Sequence, residues 1–519
     1  GAPNGGTRDS LAPKFLGSNI DTTRLNVSRT VKELRLDFDE YVMLKDFNKN
    51  FNVSPPIKKI KKVIPSNLAN KYVLIQWEDT LQANTTYNFN FGNAIVDNNE
   101  SNPLPYFNFA FSTGDKIDDL FVSGTVKDAM TLIKENQTAK DNKMVVGVYK
   151  AGENLDYKQK PDYITKVDEE NYFELNFLPK GEFVIIAFDD ENQNSVYDAG
   201  KEKVSFLKEK ITLDSTSVRG LKLKLYPSKK VVKYKESKAI NGGLLMTFEG
   251  NPETVDVKSL SEELKDFKVT HAKRSDSVNI WFDAEKSNLG GTVSKQLKLS
   301  YFTPTISDTI SVSYKAVKDE FKLSNEAGNL IAPENNFVIN TSLPIENLNT
   351  SSWKLESDSI AQDFTAKISE KNPFKILVNS SFKPTKKYVL TIPKETVSSY
   401  YSSNDKSFQF QFEIDKPENY GSFTAVIKNK PTAKFWVELT NEKGEILYSQ
   451  FTNASEVSFK NLKPATYIAR IRVDNNGNGF WDEADFAQNI AAEDVYIFEK
   501  EINVRPLWEI KEDWELTNR

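Results

Sequence analysis

The chain of 519 residues contains no cysteine and one histidine, His271, and its 68 basic and 73 acidic residues give a formal net charge of −5. These counts exclude thiolate nucleophiles, disulfide bonds, cysteine-based metal centres and metal sites built on two histidines. The acidic balance argues against nucleic acid as a main partner, and no run of about 18 apolar residues predicts a membrane-spanning helix. At about 100–150 residues per domain, the length indicates four or five domains.

Apolar and polar residues alternate along most of the chain. In chain order, this pattern occurs at residues 34–38, 87–91, 107–111, 297–301, 310–314 and 408–412. A period of two places one face of a strand in a core and the other in water. Short strands separated by Asn, Asp, Gly and Pro turns predict β-sandwiches. Residues 259–267 have the clearest helical spacing and predict one short helix.

Two internal repeats organise the chain. In the first repeat, Tyr87 and Tyr388 are each followed by phenylalanines at offsets of 20, 22 and 24 residues. In the second repeat, Leu178 and Leu462 are each followed by an aromatic residue after five positions and by Asp after twelve. The predicted segments are a tether at 1–12 and β-sandwiches at 13–116, 117–226, 227–320, 321–416 and 417–519.

The later copy of the second repeat continues into an acidic loop rich in amides. Side chains that carry oxygen fall at loop positions 1, 3, 5, 9 and 12, with Gly at position 6, and the carbonyl of Phe480 is available at position 7. This spacing is the one that a calcium loop needs, and it predicts a structural Ca²⁺ site. The loop has Asp in place of the usual Glu at position 12. The five side chains are Asp474, Asn476, Asn478, Asp482 and Asp485.

The earlier copy has a weaker version of the same loop. Asp190, Asn192, Asn194 and Asp198 occupy positions 1, 3, 5 and 9, but a serine replaces the glycine and Lys201 stands at position 12. Calcium is possible here, and the alternative for both loops is an Asn/Asp-rich turn held by bonds from side chains to the backbone. No base or nucleophile stands beside either loop, so any metal would be structural and no catalytic residue is predicted.

Three other features have two interpretations each. His271 lies in a polar segment, which favours a surface residue over a catalytic one. The basic run at 56–62 fits lysines that protect an edge strand better than a site for anionic lipid or lipopolysaccharide. Packing explains Trp77, Trp281 and Trp481 more simply than stacking on sugars.

Several segments resemble a known family. Residues 13–15, 36–42, 81–87, 95–99 and 109–114 resemble a bacterial Ig-like domain of the S-layer (SbsA-like) type. The order of modules is similar to Ig-like domain-containing envelope lipoproteins of Bacteroidota. The repeats predict the module order A-B-A-A-B, and the resemblance implies that the modules of this all-β chain are Ig-like and prealbumin/SD-repeat-like β-sandwiches. It also implies a lipidated cysteine immediately before Gly1.

A modification signal accompanies the resemblance. Bacteroidota O-glycosylation uses Asp followed by Ser or Thr and then an apolar residue or Thr, and the recurrence of this tripeptide favours export. Each copy alone is weak, because Asp-Ser/Thr is also ordinary turn chemistry. The hydroxyl residues concerned are Ser10, Thr22, Thr80, Ser215, Ser277, Thr309 and Ser359.

Taken together, the sequence predicts a non-enzymatic lipoprotein anchored to an outer membrane, on the cell surface or on the periplasmic face. It would act as a binding or scaffolding subunit in a complex with outer-membrane proteins, for example a machine for barrel assembly or secretion. One alternative is a glycan-binding surface protein. A second is an enzyme that uses an unrecognised pair of carboxylates.

Overall fold

The computed structural model describes residues 9–133, 142–317 and 320–517, so most of the predicted tether lies outside the described residues. The regular secondary structure of the described residues is almost entirely short strands, with one helical turn at Phe47–Asn50 and one 3-10 turn at Pro417–Asn419. The predicted all-β fold is therefore confirmed. Among the described residues, no helix is long and apolar enough to cross a membrane. Contacts group residues 9–229 with 472–497 in a first unit, and 230–471 with 498–517 in a second.

The first module of the first unit is a sandwich of two antiparallel sheets. One has the order β1-β2-β5-β4, with β7 also paired to β2, and the other has the order β3-β6-β8. Alternate residues Leu34, Leu36 and Phe38 of β2 are buried between them, as the period of two predicts. The strands are β1 Phe15–Ser18, β2 Glu33–Leu44, β3 Asn52–Ser54, β4 Ile60–Ile64, β5 Asn70–Trp77, β6 Thr86–Gly92, β7 Ile95–Asp97 and β8 Phe107–Ser112.

One sequence prediction is confirmed in this module. The lysines at 58–62 protect an edge, because β4 is the last strand of its sheet and Lys61 and Lys62 are exposed on it. The structure also explains the repeated offset of 24 residues, because Tyr87 pairs with Phe111 across β6 and β8. The hydroxyl of Tyr87 accepts a hydrogen bond of 2.8 Å from the N–H of Gln82, which closes the turn before β6.

The second module of the first unit combines a three-stranded sheet, β12-β9-β16, with a sheet of order β11-β10-β13-β14, in which β15 also pairs with β13. The pair β9–β16 is parallel. The buried side chains of β10 and β13 lie on both faces of their sheet, so this sheet is covered on both sides. The strands are β9 Leu120–Asp128, β10 Met144–Lys150, β11 Tyr163–Lys166, β12 Tyr172–Leu178, β13 Gly181–Asp189, β14 Val204–Phe206, β15 Ile211–Leu213 and β16 Val218–Leu225.

The second unit begins with two sheets of order β17-β18-β21-β20 and β19-β22-β23. The predicted helix at 259–267 is wrong. Leu260 donates its N–H to the carbonyl of Lys298, and Lys298 donates to the hydroxyl of Ser261, so this segment extends a strand pair instead. A single apolar turn is too short to offset the cost of starting a helix. The strands are β17 Lys233–Ile240, β18 Gly243–Glu249, β19 Asp256–Ser259, β20 Lys268–Thr270, β21 Ser277–Trp281, β22 Lys295–Phe302 and β23 Ser307–Tyr314.

The next segment repeats the aromatic pairing of the first module. Tyr388 pairs with Phe412 across β32 and β34, and its hydroxyl accepts a hydrogen bond of 2.8 Å from the N–H of Lys383. The sheets have the orders β24-β26-β31-β30, β25-β34-β32-β28-β29 and β27-β33. The strands are β24 Leu323–Asn325, β25 Leu330–Ile331, β26 Phe337–Thr341, β27 Asn347–Leu348, β28 Lys354–Ser357, β29 Ile360–Ala361, β30 Phe364–Ile368, β31 Lys375–Ser380, β32 Lys387–Ile392, β33 Val397–Ser398 and β34 Phe408–Ile414.

The last strands repeat the pairing of the second module. The sheet β38-β35-β42 contains a parallel pair, β35–β42, as the sheet β12-β9-β16 does. Its companion sheet places β37 beside β36, β36 beside β39, and β41 against the start of β39. The strands are β35 Gly421–Lys428, β36 Phe435–Thr440, β37 Ile446–Thr452, β38 Glu456–Leu462, β39 Ala465–Val473, β40 Val495–Ile497, β41 Ile502–Val504 and β42 Glu509–Glu515.

Candidate metal-binding loops

The late acidic loop begins at Asp474, directly after β39. Asp474 is only 3% exposed, and its two carboxylate oxygens accept the N–H groups of Asn478 at 3.1 Å and Gly479 at 2.9 Å. Gly477 and Gly479 both have positive φ, at 70° and 82°, which allows the chain to fold back over the carboxylate. Asp474 therefore holds the turn together from within.

The predicted side chains at positions 3, 5 and 9 converge. The amide nitrogens of Asn476 and Asn478 donate to the same oxygen of Asp482, at 2.7 and 2.8 Å. The amide oxygen of Asn476 accepts the N–H of Asn478, and that of Asn478 accepts the N–H of Phe480. Asp474, Asn476, Asn478 and Asp482 thus form one polar cluster.

Asp485, the residue at position 12, lies in a different turn. Its carboxylate accepts the N–H of Gln488 at 3.3 Å, and its backbone pairs with Ile490. Its neighbours Ala484 and Phe486 are both buried, and this burial directs the segment away from the loop. The structure therefore does not join Asp485 to the four side chains that precede it.

Glu493 contributes the carboxylate that the spacing assigned to Asp485. It is 6% exposed and accepts the N–H groups of Asn476 at 3.2 Å and Asp482 at 2.7 Å. Its burial raises its pKa above the usual value, and the negative charges of Asp482 and Asp474 raise it further against those two hydrogen bonds. Glu493 lies outside the twelve positions of a calcium loop that starts at Asp474, so the loop spacing does not mark it. The one sequence signal for Glu493 is its place just before the strand β40.

The early loop has the same construction. Asp190 is 4% exposed and accepts the N–H groups of Asn194 at 3.2 Å and Ser195 at 2.9 Å. Gln193 and Ser195 have positive φ, 51° and 61°, at the loop positions where the late loop has its two glycines. The two loops therefore share one backbone conformation, which the early loop adopts without glycine.

A second buried glutamate completes the early loop too. Glu202, 1% exposed, accepts the N–H groups of Glu191 at 2.7 Å and Asp198 at 2.6 Å. Its burial raises its pKa, and the charge of Asp190 contributes to the same direction against the hydrogen bonds it accepts. Asn192 is exposed, and Asp198 lies 3.8 Å from the Lys201 ammonium. Position 12 of the early loop is therefore a lysine, and the buried carboxylate that bonds to the loop comes from the next residue, Glu202.

The late loop continues into a segment that packs on the second module. Ala484 and Pro227 are joined by a backbone hydrogen bond of 3.0 Å. The ring of Phe486 lies 4.4 Å from that of Tyr157 and 5.2 Å from that of Phe206, measured between centroids. This aromatic cluster covers the face of the β10-β13-β14 sheet that the first sheet of the module leaves open.

An acidic cluster outside the loops was not predicted. Oxygen atoms of Asp9, Glu40 and Asp97 lie within 4.8 Å of one another, and Asp97 is 1% exposed. Burial opposes ionisation of Asp97, but the N–H groups of Glu100 and Asn102 bond to its carboxylate and lower its pKa. Burial and the three neighbouring aspartates raise the pKa of Glu40. These residues come from well-separated positions, so no local motif marks them.

The remaining candidates have structural roles. Trp77 and Trp281 are 2% and 3% exposed, which confirms packing rather than stacking on a ligand. A ring nitrogen of His271 lies 2.8 Å from the carbonyl of Ser275 and fixes a turn. Trp481 donates its indole N–H to the carbonyl of Glu493 at 3.2 Å. It therefore belongs to the late loop.

Comparison with known proteins identifies one module. Residues 9–113 match the family model of a bacterial Ig-like domain. No curated protein matches the chain.

Three solved structures are similar to parts of this chain at low identity and low TM-score. The S-layer protein rSbsC(31-844) is 12% identical, with 95% of this chain and 67% of that chain covered and a TM-score of 0.16. A Bacteroides ovatus protein, SGBP-B of a mixed-linkage glucan utilization locus in complex with a heptasaccharide, is 11% identical over 75% of this chain and 95% of that chain, with a TM-score of 0.20. Drosophila OTK, extracellular domains 3–5, is 9% identical over 58% and 98%, with a TM-score of 0.15.

Proposed function

We propose that the chain is a non-enzymatic binding and scaffolding protein of a bacterial outer membrane. The observation that carries this proposal is that the buried glutamates beside the two candidate loops hold the loop backbone in place. Glu202 and Glu493 each accept two backbone N–H groups, so both carboxylates brace the backbone. Acids committed to bracing a loop stiffen the module, which favours architecture over turnover. The bacterial Ig-like domain at residues 9–113 agrees with a scaffold built from sandwich modules.

The setting of the scaffold is the second part of the proposal. By resemblance, the chain would be a Bacteroidota lipoprotein held by an N-terminal lipid, serving as an accessory subunit of an outer-membrane machine for barrel assembly or secretion. The candidate O-glycosylation tripeptides agree with export, because all their hydroxyl residues are exposed and accessible to a glycosyltransferase. They are Ser10, Thr22, Thr80, Ser215, Ser277, Thr309 and Ser359.

Affinity purification from native membranes in mild detergent tests the subunit role. The tagged protein should retain outer-membrane proteins at a constant ratio, identified by mass spectrometry. A tagged lipoprotein of similar size from the same membrane controls for detergent micelles that carry several proteins. Elution of the protein alone would reject the subunit role, and an N-terminal peptide without lipid would reject the anchor.

We also propose that both loops hold structural calcium. The residues fit the ion in chemistry, since Asp474 and Asp482 supply carboxylate oxygens, and Asn476 and Asn478 add amide oxygens after a rotation of their side chains. The cluster is already within hydrogen-bonding distance, so binding requires little movement of the backbone. The ion would neutralise the negative charge of the carboxylates, which the N–H groups now bonded to them offset only in part.

Glycan binding is the second candidate function, and one residue favours it. Trp508, in the turn between β41 and β42, is 49% exposed, and the guanidinium of Arg505 lies 5.4 Å from its ring centroid. An exposed indole beside a guanidinium donor suits stacking on a sugar ring. A glycan array with Trp508→Ala as the matched variant tests it. Binding that survives this substitution, or a silent array, counts against it.

A further inference from the structure

We infer that the edge strand β37 associates two copies of this chain, in antiparallel contact along Ile446–Thr452. This inference goes beyond the proposed function and does not depend on it. β37 is the last strand of its sheet and pairs only with β36 in the described structure. An edge strand has unpaired backbone N–H and C=O groups that can pair with another strand.

The side chains of β37 are exposed and apolar. Ile446, Leu447 and Phe451 are 45%, 48% and 45% exposed in the folded chain. Leu447 lies on the same face as Phe451 by alternation, and the one-residue bulge where β37 meets Thr440 brings Ile446 to that face as well. Together they form an apolar strip beside unpaired backbone, the combination that natural edge strands avoid when they must stay single.

The absence of charge sets β37 apart from its counterparts. Its sequence, Ile-Leu-Tyr-Ser-Gln-Phe-Thr, contains no charged residue and no proline. Charged residues on an edge strand prevent pairing with other chains. Within the described residues, every other edge strand of at least seven residues carries one or more; these are β12, β16, β17, β23, β38 and β42.

The partner that fits this edge is a second copy. In an antiparallel pair centred on Ser449, each Ser449 faces its own copy, and each Leu447 faces Phe451 of the other chain on the exposed face. Apolar residues directly opposite one another are the pairs that stabilise antiparallel strands. A centred strand pair is also self-complementary, as a two-fold interface requires.

Neighbouring residues support this register. Trp436 stacks on Phe451 with 4.6 Å between centroids and an interplanar angle of 24°, which orders the phenyl ring before association. Glu438, opposite Ser449 on β36, is 1% exposed and lies 3.1 Å from Arg470, so it presents no open charge at the centre.

The charges at the two ends of β37 are complementary. Glu445 precedes the strand, and Lys434 lies beside its other end, 5.7 Å from the ring of Phe451. Antiparallel pairing brings the acidic end of one copy to the basic end of the other, which favours this orientation over a parallel one. One seven-residue strand is a small interface, so the dimer should dissociate on dilution.

Sedimentation velocity of the full chain over a range of concentrations tests the inference. The wild type should shift from monomer to dimer as concentration rises. Ser449→Lys places two ammonium groups opposite each other and should weaken dimerisation about tenfold or more. Ser311→Lys, at an exposed serine of the edge strand β23, is the matched control and should behave as the wild type.

A charge-reversal mixture identifies the register. Ser449→Glu should also be monomeric, whereas an equimolar mixture with Ser449→Lys should restore the dimer, because opposite charges then face each other. Thermal unfolding of each variant confirms that it folds. A wild type that stays monomeric at all concentrations would overturn the inference. So would a dimer that Ser449→Lys leaves intact, or a mixture that does not recover.

Discussion

The ring of Phe486 packs against the ring of Tyr157 with 4.4 Å between their centroids, although they belong to distant parts of the chain. This contact covers one face of the β10-β13-β14 sheet with a segment that follows the late acidic loop. Phe486 is 7% exposed, so its burial is nearly complete. The loop is therefore part of the packing of the first unit, and any ion that orders it would also order this contact.

We expect Phe486→Ala to destabilise the first unit locally by about 3 kcal/mol, because it removes a buried ring and leaves a cavity. Hydrogen exchange of β10 and β13 should report the loss as lower protection. Tyr106→Ala is the control, because Tyr106 is 69% exposed and its loss should change protection little. Equal protection in Phe486→Ala and the wild type would show that the segment does not stabilise this sheet.

The left-handed backbone at Gly479 predicts how much stability the protein loses when this glycine is replaced by alanine. Gly479 has φ of 82° and open space where an added Cβ would lie, so Gly479→Ala introduces backbone strain without a steric clash. The expected cost is about 1 kcal/mol, measured by thermal unfolding. Gly17→Ala, whose added methyl also meets no atom within 4 Å but which has no positive φ, should leave the stability unchanged or slightly higher. Similar results for both variants would mean that the left-handed conformation at Gly479 costs nothing.

The buried glutamates predict a pH dependence. Burial raises the pKa of Glu202, so its contribution to stability is complete below the unfolded pKa and is lost as pH rises through the folded pKa. Glu202→Gln cannot titrate, and it should cost about 1–3 kcal/mol at acid pH, with a smaller cost as pH rises from the ordinary glutamate range. Chemical denaturation across this window measures the difference. Glu182→Gln, at an exposed position on β13, is the control. A cost that grows with pH would contradict this account.

Calcium binding can be followed through Trp481, whose indole donates to the late loop. Terbium in place of calcium should emit when this indole is excited, and calcium should displace it. Asp482→Ala should abolish the late-loop signal, because Asp482 gathers both amides. Asp485→Ala should retain it, because that carboxylate bonds to Gln488 instead. Loss of emission in both variants would restore Asp485 as a ligand, and no calcium-sensitive emission at all would reject the site.

The two tyrosines of the first repeat should be equally important to their modules. Tyr87→Phe and Tyr388→Phe each leave a backbone N–H, that of Gln82 or Lys383, without its acceptor. Each substitution should cost about 1 kcal/mol in thermal or chemical unfolding. Tyr106→Phe, at an exposed tyrosine, should cost nothing measurable. If only one of the two variants is destabilised, the tyrosine hydrogen bond does not stabilise both modules to the same extent.

Local periodicity predicted most of the fold. Alternation along β2 and β6 placed Leu34, Leu36 and Phe89 in the core, where the structure has them. The offset of 24 residues marked the repeat, and the structure shows that it separates paired residues, Tyr87 with Phe111 and Tyr388 with Phe412. These features depend on the spacing of side chains within one or two strands, which the order of residues determines directly.

The predicted helix at 259–267 shows the limit of such local spacing. Its apolar residues have helical offsets, yet Leu260 and Ser261 bond to Lys298 on β22. The competing partner lies in another strand, so only the folded sheet reveals it. Partners of this kind override a weak local preference.

The sequence by itself determined the strands, the repeats and the acidic loops that begin at Asp190 and Asp474. Only the tertiary structure decided which carboxylates close those loops, because Glu202 and Glu493 reach them through the strands that follow. It also decided that Asp485 turns away, since the burial of Phe486 against Tyr157 directs that segment elsewhere. The physical reason is that periodicity and turn chemistry act between neighbours in sequence, whereas burial and sheet edges depend on contacts between distant residues.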